Sequence, residues 1–194
     1  MKRYKKIYYT LRLMMYPGSG RAIANYIRKH HIFGGIGNNC MIQIRRLPIY
    51  PSLIFIHNNV SIAADVRFSV HDVIHNMLNI KYGTRDFVEK VGCIEIMDNV
   101  FVGAGSRILY NTRIGSNVII GAGSFVNKDI PDNSVYAGVP AKYICSFDEY
   151  VEKAKKWSED FVTIYGKNNV KGNLDNGMAE RLYHEFLRER NGIL

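Results

Sequence analysis

His71 is the residue in this sequence whose type and position are best suited to acid–base chemistry. An imidazole with an ordinary pKa of about 6.5 can take a proton from a hydroxyl group near neutral pH. His71 lies three positions after Phe68, where a regular repeat breaks off, and Asp72 and His75 follow it in the inserted segment. We predict that His71 is a general base and that Asp72 and His75 are candidates for substrate contacts, and Asp72 could instead orient the imidazole. The alternative is that His71 is an ordinary solvated loop histidine.

Two identical tetrapeptides offer a second kind of chemistry, that of exposed backbone groups. Residues 103–106 and 121–124 both read GAGS, and each residue of the first lies three hexads before its equivalent in the second. They lack the GxGxxG spacing of a nucleotide-binding loop, and no strand-then-helix unit follows either one. Their simplest role is a tight turn, because glycine tolerates unusual backbone angles. Stacked small residues would also leave a groove of N–H and C=O groups that suits an amide-rich ligand.

The elements that must position these residues follow from a repeat of six. Neither a helix nor a strand has a period of six, whereas a rung of a solenoid can have this repeat. Three hexads make one turn of a triangular parallel β-helix, in which residues three hexads apart stack at about 4.8 Å. The two GAGS segments should therefore lie above one another on one edge. The repeat consists of these aliphatic residues: Ile96, Val102, Ile108, Ile114, Ile120 and Val126.

The repeat is interrupted twice. Residues 48–53 shift its phase by two positions, which predicts a bulge or a local loop. Between Phe68 and Ile96 the chain has twenty-two positions more than one hexad needs, so it should leave the coil near His71 and return near Cys93. A long excursion from a solenoid usually marks a functional face.

The chain divides into three predicted parts. Residues 1–33 form a basic helical segment with helices over 2–16 and 21–31. Residues 34–145 form the β-helix, with a loop excursion over 72–93. Residues 146–194 form a helical extension, with helices over 146–165 and 178–190 and a loop over 166–177.

The positive charge is concentrated at the N-terminus. The formal net charge is +9, and residues 1–64 contain ten lysines and arginines but no acid. One interpretation is that the helices cap the open end of the β-helix, where unpaired strand edges must be covered. The other is that residues 1–31 make a peripheral contact with an anionic membrane or an anionic glycan. No nucleic-acid-binding motif accompanies the charge, so we expect no nucleic-acid partner.

The cysteines and the hydropathy pattern bear on location. The chain has three cysteines, Cys40, Cys93 and Cys145, which is an odd number, and none of them form a CxxC pair. This pattern predicts reduced thiols in a cytoplasmic protein. We find no apolar run of membrane-spanning length and no signal peptide. The sequence thus predicts a cytoplasmic protein, with the basic N-terminus as the part that could contact the inner face of a membrane.

The segment GAGSFVNKDIPDNSVYAGVPAKYI, residues 121–144, resembles the most specific signature of the maltose/galactoside/xenobiotic branch of the hexapeptide-repeat O-acetyltransferases. With the hexads, the resemblance covers roughly residues 34–150. It implies a mainly β fold, a left-handed parallel β-helix, although crossovers are usually right-handed. It also implies a homotrimer with sites between subunits, acetyl-CoA as co-substrate and no required metal. The implied acceptor is a hydroxyl group of a sugar or glycan, for example a surface polysaccharide precursor.

The resemblance also implies roles for particular residues. Residues 66–72 resemble the family segment that ends in its catalytic histidine, and the match falls on His71. The backbone at Ala104 and Ala122 is implied to contact coenzyme A, and Lys128 and Lys142 to approach its phosphates. Both lysines could equally be surface residues that favour solubility.

Two other functions stay open from the sequence. A γ-type carbonic anhydrase shares this fold and would need three histidine ligands, for which His57, His71 and His75 are the nearest in sequence. A non-catalytic β-helical scaffold is the second alternative. His71 and the pair of GAGS segments argue against a scaffold.

Overall fold

A computed structural model gives the fold and describes residues 3–165 and 176–190. Its helices are α1 (Arg3–Met14), α2 (Gly20–Lys29), α3 (Ile74–Tyr82), α4 (Phe147–Tyr165) and α5 (Asn176–Arg190), with a 3₁₀ turn at Pro51–Leu53. Its strands are β1 (Gly35–Ile36), β2 (Met41–Ile42), β3 (Ile54–Ile56), β4 (Ser61–Ile62), β5 (Arg67–Ser69), β6 (Ile94–Ile96), β7 (Val100–Val102), β8 (Arg107–Leu109), β9 (Thr112–Ile114), β10 (Val118–Ile120), β11 (Phe125–Val126), β12 (Ser134–Ala137) and β13 (Lys142–Ser146).

The strands form the three faces of a parallel coil. Sheet A has the order β1-β3-β6-β9, sheet C has β11-β8-β5, and sheet B runs β2-β4-β7-β10-β12 with β13 antiparallel at its end. Successive turns of the coil add one strand to each sheet. Val100 pairs with Val118 and Val102 with Ile120, so that each residue pairs with its equivalent three hexads later. The predicted triangular parallel coil with three hexads in each turn is therefore confirmed.

The six-residue repeat supplies the interior of the coil. All six aliphatic residues of the predicted series are completely buried, from Ile96 to Val126. Burying one such side chain contributes about 1.5–3 kcal/mol relative to leaving it exposed. Small polar residues fill the interior where the coil bends: Ser106 Oγ donates to the carbonyl oxygen of Gly121 at 3.0 Å and accepts from the backbone N–H of Ser124 at 3.2 Å. Each turn is thus tied to the next inside the bend as well as along the strands.

Three corners connect the sheets, and we name them by their residues. The glycine corner, residues 103–106 and 121–124, leads from sheet B to sheet C. The histidine corner, residues 70–72, 110–111 and 127–129, leads from sheet C to sheet A. The asparagine corner leads from sheet A to sheet B and contains five asparagines with φ of 55–59°, a conformation that asparagine tolerates better than most residues: Asn39, Asn59, Asn99, Asn117 and Asn133. Their side-chain amides form a ladder at 2.8–2.9 Å through Asn59, Asn99, Asn117 and Asn133.

Both predicted interruptions are present. Gly35 pairs with Phe55, which lies two positions beyond the regular three hexads, and the 3₁₀ turn lies within this phase shift. Ile56 pairs with Ile96, forty positions later, and this pairing spans the long excursion. The excursion contains α3, which the sequence did not predict, and it returns as an antiparallel bridge between His71 and Val91.

Helix α2 caps the N-terminal end of the coil. Its Ile23, Ala24 and Ile27 side chains are buried, and its first turn is capped by Ser19, whose hydroxyl accepts from the Ala22 N–H. The guanidinium of Arg28 donates to the carbonyl oxygens of Ile36 at 3.3 Å and of Gly37. Because these carbonyls belong to the first turn of the coil, the capping interpretation holds for this helix.

The chain divides into two compact units, Met1–Asp148 and Glu149–Leu194. Helices α4 and α5 correspond to the two predicted helices, and α5 begins two positions earlier than expected, at Asn176. Most of the loop predicted over 166–177 lies outside the described residues. Across residues 3–165 and 176–190, each helix is too short or too polar to cross a lipid bilayer.

Candidate active site at the corners of the coil

His71 is held by a carboxylate that the excursion brings back to the coil. Its side chain is 18% exposed, and Nδ1 lies 3.0 Å from Oε1 of Glu89. The return segment is fixed by the Asp72 N–H, which donates to the carbonyl oxygen of Lys90 at 3.0 Å. The contact is a close approach rather than a linear hydrogen bond, since Nδ1 is buried without a well-aligned acceptor. Glu89 is therefore the residue that orients the imidazole in this chain.

Tyr50 completes this cluster from the other side. Its ring packs edge-on against the imidazole, with ring centroids 5.6 Å apart, and its hydroxyl donates to Oε2 of Glu89 at 2.8 Å. This hydrogen bond to a carboxylate raises the pKa of Tyr50, so that the phenol stays protonated and keeps donating. The two oxygens of Glu89 are thus engaged by different partners, one by the imidazole of His71 and one by the phenol of Tyr50. A proton held at Nδ1 leaves Nε2 as the nitrogen that can accept one from a substrate.

The structure gives Asp72 a different neighbour from His71. The carboxylate of Asp72 accepts from the Tyr110 hydroxyl at 2.7 Å and from the Ile74 N–H at 3.2 Å. The hydrogen bond from Tyr110 is the main cause of a lowered pKa of Asp72, and the same bond raises the pKa of Tyr110. Asp72 therefore braces the start of α3. His75 lies in the first turn of α3, and its Nδ1 is buried without a partner in the described part of the chain.

The glycine corner presents two free backbone donors. Ala104 and Ala122 are exposed, and the residue after each has positive φ, +72° at Gly105 and +68° at Gly123. The N–H of Gly123 donates to the carbonyl oxygen of Ala104 at 2.8 Å, which fixes the stacking. The N–H groups of Ala104 and Ala122 themselves have no acceptor among the described residues. They point to a ligand that carries carbonyl oxygens at about the strand spacing.

Close packing keeps this corner open. A Cβ atom at Gly103 would lie 2.4 Å from the backbone nitrogen of Ala122, closer than any side chain tolerates. Glycine at this position therefore lets successive turns approach while the exposed side chains remain no larger than methyl groups. The fit to an extended amide-rich group such as pantetheine rests on these two features.

The predicted site residues fall into two groups on one chain. Ala104 and Ala122 lie on the glycine corner, and Lys142 lies next to it on β13, paired with Ala137. His71 and Lys128 lie at the histidine corner instead. The strands of sheet C separate the two corners, and the extended segment between them spans on the order of 20 Å. One chain therefore does not bring the expected donor groove to the expected base.

A cluster of arginines lies between the two corners. Arg67 and Arg107 pair directly across β5 and β8, and with Arg46 they line a cavity on the outer face of sheet C. Like charges directly opposite one another are destabilising unless an anion lies between them. No ion pair within residues 3–165 and 176–190 involves these three arginines. The same cavity is lined by Leu47, Pro48, Phe68 and Ser69.

The histidines of the carbonic anhydrase alternative have separate partners. His57 Nε2 lies 3.1 Å from Oε1 of Glu95, whose other oxygen pairs with Arg113 at 2.7 Å. The contact with His57 is the main cause of the lowered pKa of Glu95. His71 faces Glu89 at a different corner. In the described ranges no three histidine, cysteine, aspartate or glutamate side chains converge as a metal site would require.

Sequence reasoning missed Glu89, Tyr50 and the arginine cluster. Glu89 lies in the excursion and Tyr50 in the phase shift, where no repeat assigns a position. The arginines could have been found from the sequence, because Arg67 and Arg107 each come one position after a corner and face outward.

Comparison with known proteins agrees with this geometry. The family model described as bacterial transferase hexapeptide (six repeats) matches residues 94–128. Protein CapG of Staphylococcus aureus is 37% identical over 152 residues, which cover 77% of this chain and 86% of CapG. The structure of a maltose O-acetyltransferase from Clostridium difficile 630 is similar with a TM-score of 0.56 and 25% identity, covering 74% of this chain and 85% of that one. A galactoside acetyltransferase in complex with coenzyme A has the same fold, with a TM-score of 0.55, 24% identity and coverage of 77% and 82%.

Proposed function

The chain belongs to the hexapeptide-repeat acetyltransferase family, and from this premise we propose that it transfers an acetyl group from acetyl-CoA to a hydroxyl group of a sugar or glycan. The observation that carries the proposal is the pairing of His71 with Glu89 at the histidine corner of a coil whose neighbouring glycine corner stacks two free N–H groups. Maltose and galactoside acetyltransferases among the similar proteins support a carbohydrate acceptor. A precursor of a surface polysaccharide is the acceptor we favour.

The residues of the chain suit direct transfer between two bound substrates. Acetyl-CoA supplies an activated acyl group as a thioester. Nε2 of His71 takes the proton of the acceptor hydroxyl, and Glu89 stabilises the imidazolium that forms. The oxygen attacks the thioester carbonyl, and the Ala104 N–H donates to the resulting oxyanion. The carbon–sulfur bond breaks, and His71 returns its proton to the departing thiolate, so that the products are an acetyl ester and coenzyme A.

The separation of the two corners supports a homotrimer with sites between subunits. A base at one corner and a donor groove on the order of 20 Å away can act together only if a neighbouring copy supplies one of them. Helix α3 supports the same assembly, because it buries none of its nine residues within its own chain. So short a helix needs tertiary packing to be stable, and a neighbouring subunit would supply it. Its exposed apolar side chains include Ile74, Met77 and Ile80, and Val73 immediately before the helix is exposed as well.

Introducing charge on α3 is therefore expected to break the trimer. In a Met77→Glu, Ile80→Glu double variant, the two glutamates replace side chains that are 56% and 83% exposed in the single chain. We expect light scattering to report monomers and turnover to fall together with assembly. Asn76→Glu, an added charge at an exposed polar position of the same helix, is the matched control. A double variant that retains the wild-type mass, or a wild type that is monomeric and active, would contradict the shared site.

We further propose that the acceptor carries a negative charge. The cavity with Arg46, Arg67 and Arg107 adjoins Ser69, which lies two positions before His71 on the same outward-facing side of the strand. Guanidinium groups bind carboxylates and phosphates in bidentate geometry. Lys142, which the family resemblance assigns to the coenzyme A phosphates, lies at the other end of the glycine corner. The arginines are thus left for the acceptor.

Removing one of these charges is expected to discriminate between acceptors. Arg67→Gln should raise KM for a uronic-acid-containing acceptor about tenfold, the loss of one charge-assisted pair, and leave KM for its neutral analogue unchanged. The measurement is steady-state kinetics with matched acidic and neutral oligosaccharides, and Arg188→Gln on α5 is the control. An equal change for both acceptors, or a weakened affinity for coenzyme A in calorimetry, would assign the arginines to the donor instead.

The test of the reaction itself is turnover of acetyl-CoA against hydroxyl, amine and glycan acceptors, followed by thiol release and mass spectrometry of the product. We expect thiol release that depends on a hydroxyl acceptor and an acetyl ester in the product. Release with amines alone would overturn the proposed acceptor class. Binding of coenzyme A without turnover on any acceptor would favour the non-catalytic scaffold.

Two finer points complete the proposal. We infer a left-handed coil from the family, since the strand register is the same for either hand. We also infer a cytoplasmic location, where the thiols of Cys40, Cys93 and Cys145 would stay reduced.

A further inference from the structure

Helix α1 is anchored to the capped end of the coil by one of its faces. The Leu13 side chain is completely buried, and the Tyr9 and Tyr26 rings pack at a centroid distance of 6.3 Å. The Arg45 guanidinium donates to the carbonyl oxygens of Leu13 at 3.0 Å and of Tyr16 at 2.6 Å. Helix α1 thus holds a fixed orientation against α2.

The opposite face of α1 is apolar and exposed to solvent. Its residues recur at intervals of three and four, which places them in one stripe along the helix. We name this stripe the outer face of α1. It consists of Tyr4 (63% exposed), Ile7 (52%), Tyr8 (55%), Leu11 (55%) and Met14 (49%), and Met15 (82%) extends it immediately after the helix.

The outer face has no role in capping the coil. Helix α2 covers the first turn through its buried aliphatic residues and through Arg28, and α1 adds Leu13 from its inner face. Contiguous apolar surface of this kind on a folded protein marks a site of interaction. A binding partner is therefore expected to cover the outer face, which the chain itself leaves exposed.

The charges beside the outer face indicate which kind of partner binds there. Lys5 and Arg12, seven positions apart, flank one side of the stripe, and Arg12 also lines a cleft with Lys29 of α2 and with His30, which follows that helix. No acid occurs in the sequence before Asp65. A second copy of the chain docked here would bring like charges together. An acidic glycan would satisfy the charges but would leave the apolar stripe in water.

An anionic lipid surface can bind both the apolar stripe and the basic side chains of α1. Apolar side chains of an interfacial helix enter the boundary between headgroups and acyl chains, and flanking lysines and arginines remain at the phosphates. We propose that α1 lies in the surface of an anionic bilayer through its outer face and holds the protein there as a peripheral membrane protein. The proposal does not depend on the identity of the acetyl acceptor.

The test is co-sedimentation of the full chain with vesicles of phosphatidylcholine, with and without phosphatidylglycerol, at low and high salt. We expect binding that requires the anionic lipid and weakens with salt, because charges are screened beyond about 10 Å at 0.1 M and about 3 Å at 1 M. An Ile7→Gln, Leu11→Gln variant should lose about tenfold or more in partitioning, since two inserted side chains become polar. A Lys5→Gln, Arg12→Gln variant should lose the salt-dependent part.

The controls separate the competing occupants. Trp157→Gln, a loss of an exposed aromatic residue in α4, should bind as the wild type does. Circular dichroism should show unchanged helix content in every variant, because the altered side chains are exposed. Equal binding to neutral and anionic vesicles would overturn the proposal. Wild-type binding by the Ile7→Gln, Leu11→Gln variant would also overturn it, because the attraction would then rest on charge without insertion. A change in the mass of that variant by light scattering would overturn it too, because the outer face would then bind a second copy of the chain.

Discussion

Replacing His71 with alanine is expected to lower kcat about a hundredfold or more, the usual contribution of a positioned general base. Without the imidazole, the acceptor hydroxyl has no group to take its proton, since Glu89 faces the position of Nδ1 rather than the substrate side. Binding of coenzyme A should persist, because the glycine corner lies elsewhere on the coil. The measurement is steady-state turnover together with calorimetric titration of coenzyme A.

Two further variants sharpen this result. Glu89→Gln keeps the shape of the positioning residue but removes its charge, so kcat should fall while KM for acetyl-CoA stays unchanged. His184→Ala, at an exposed position of α5, should behave as the wild type does. A His71→Ala variant with nearly the wild-type kcat would show that another group takes the proton.

Replacing Ala122 with leucine is expected to weaken coenzyme A binding about tenfold or more, equivalent to at least about 1.4 kcal/mol. Ala122 is exposed at the glycine corner, and a larger side chain would cover the free N–H groups without entering the core. The melting temperature should therefore change little, whereas the dissociation constant from calorimetry should rise.

Ala179→Leu, at an exposed position of α5, is the matched control for this substitution. It adds the same atoms at a site remote in sequence from the GAGS segments. Unchanged affinity in the Ala122→Leu variant would remove this corner from the donor site. A loss of folding would instead mean that the corner cannot accept a larger side chain at all.

The coil was predictable because its inward-facing residues determine the strand register. The phase shift reappears in the pairing of Gly35 with Phe55, and the excursion reappears in the pairing of Ile56 with Ile96. A strand that slips by one position would turn its buried side chains outward, so the aliphatic series fixes the register. The spacing of the stacked asparagines, for example Asn99 and Asn117, also indicates the register. The register predicted from the sequence rests on the aliphatic positions alone.

The candidate site was less predictable, for two physical reasons. The contact between Tyr50 and Glu89 joins two irregular segments that are far apart in sequence, where no period constrains the chain. Helix α3 buries no residue in its own chain, so it lacks the amphipathic pattern that reveals most helices. The sequence groups Lys128 with Lys142, although the bends of the coil place them at different corners.

The excursion between His71 and Cys93 also has a consequence for the order in which the coil can assemble. The rungs from Ile94 to Ala137 pair with partners sixteen to eighteen positions away, whereas joining them to the preceding rungs closes a loop of forty. Loop closure entropy grows with the logarithm of length, so the longer closure costs about 0.7 kcal/mol more. The rungs before the excursion pair at only twenty positions, so each of the two blocks can form by short closures, and joining the blocks is the costlier step.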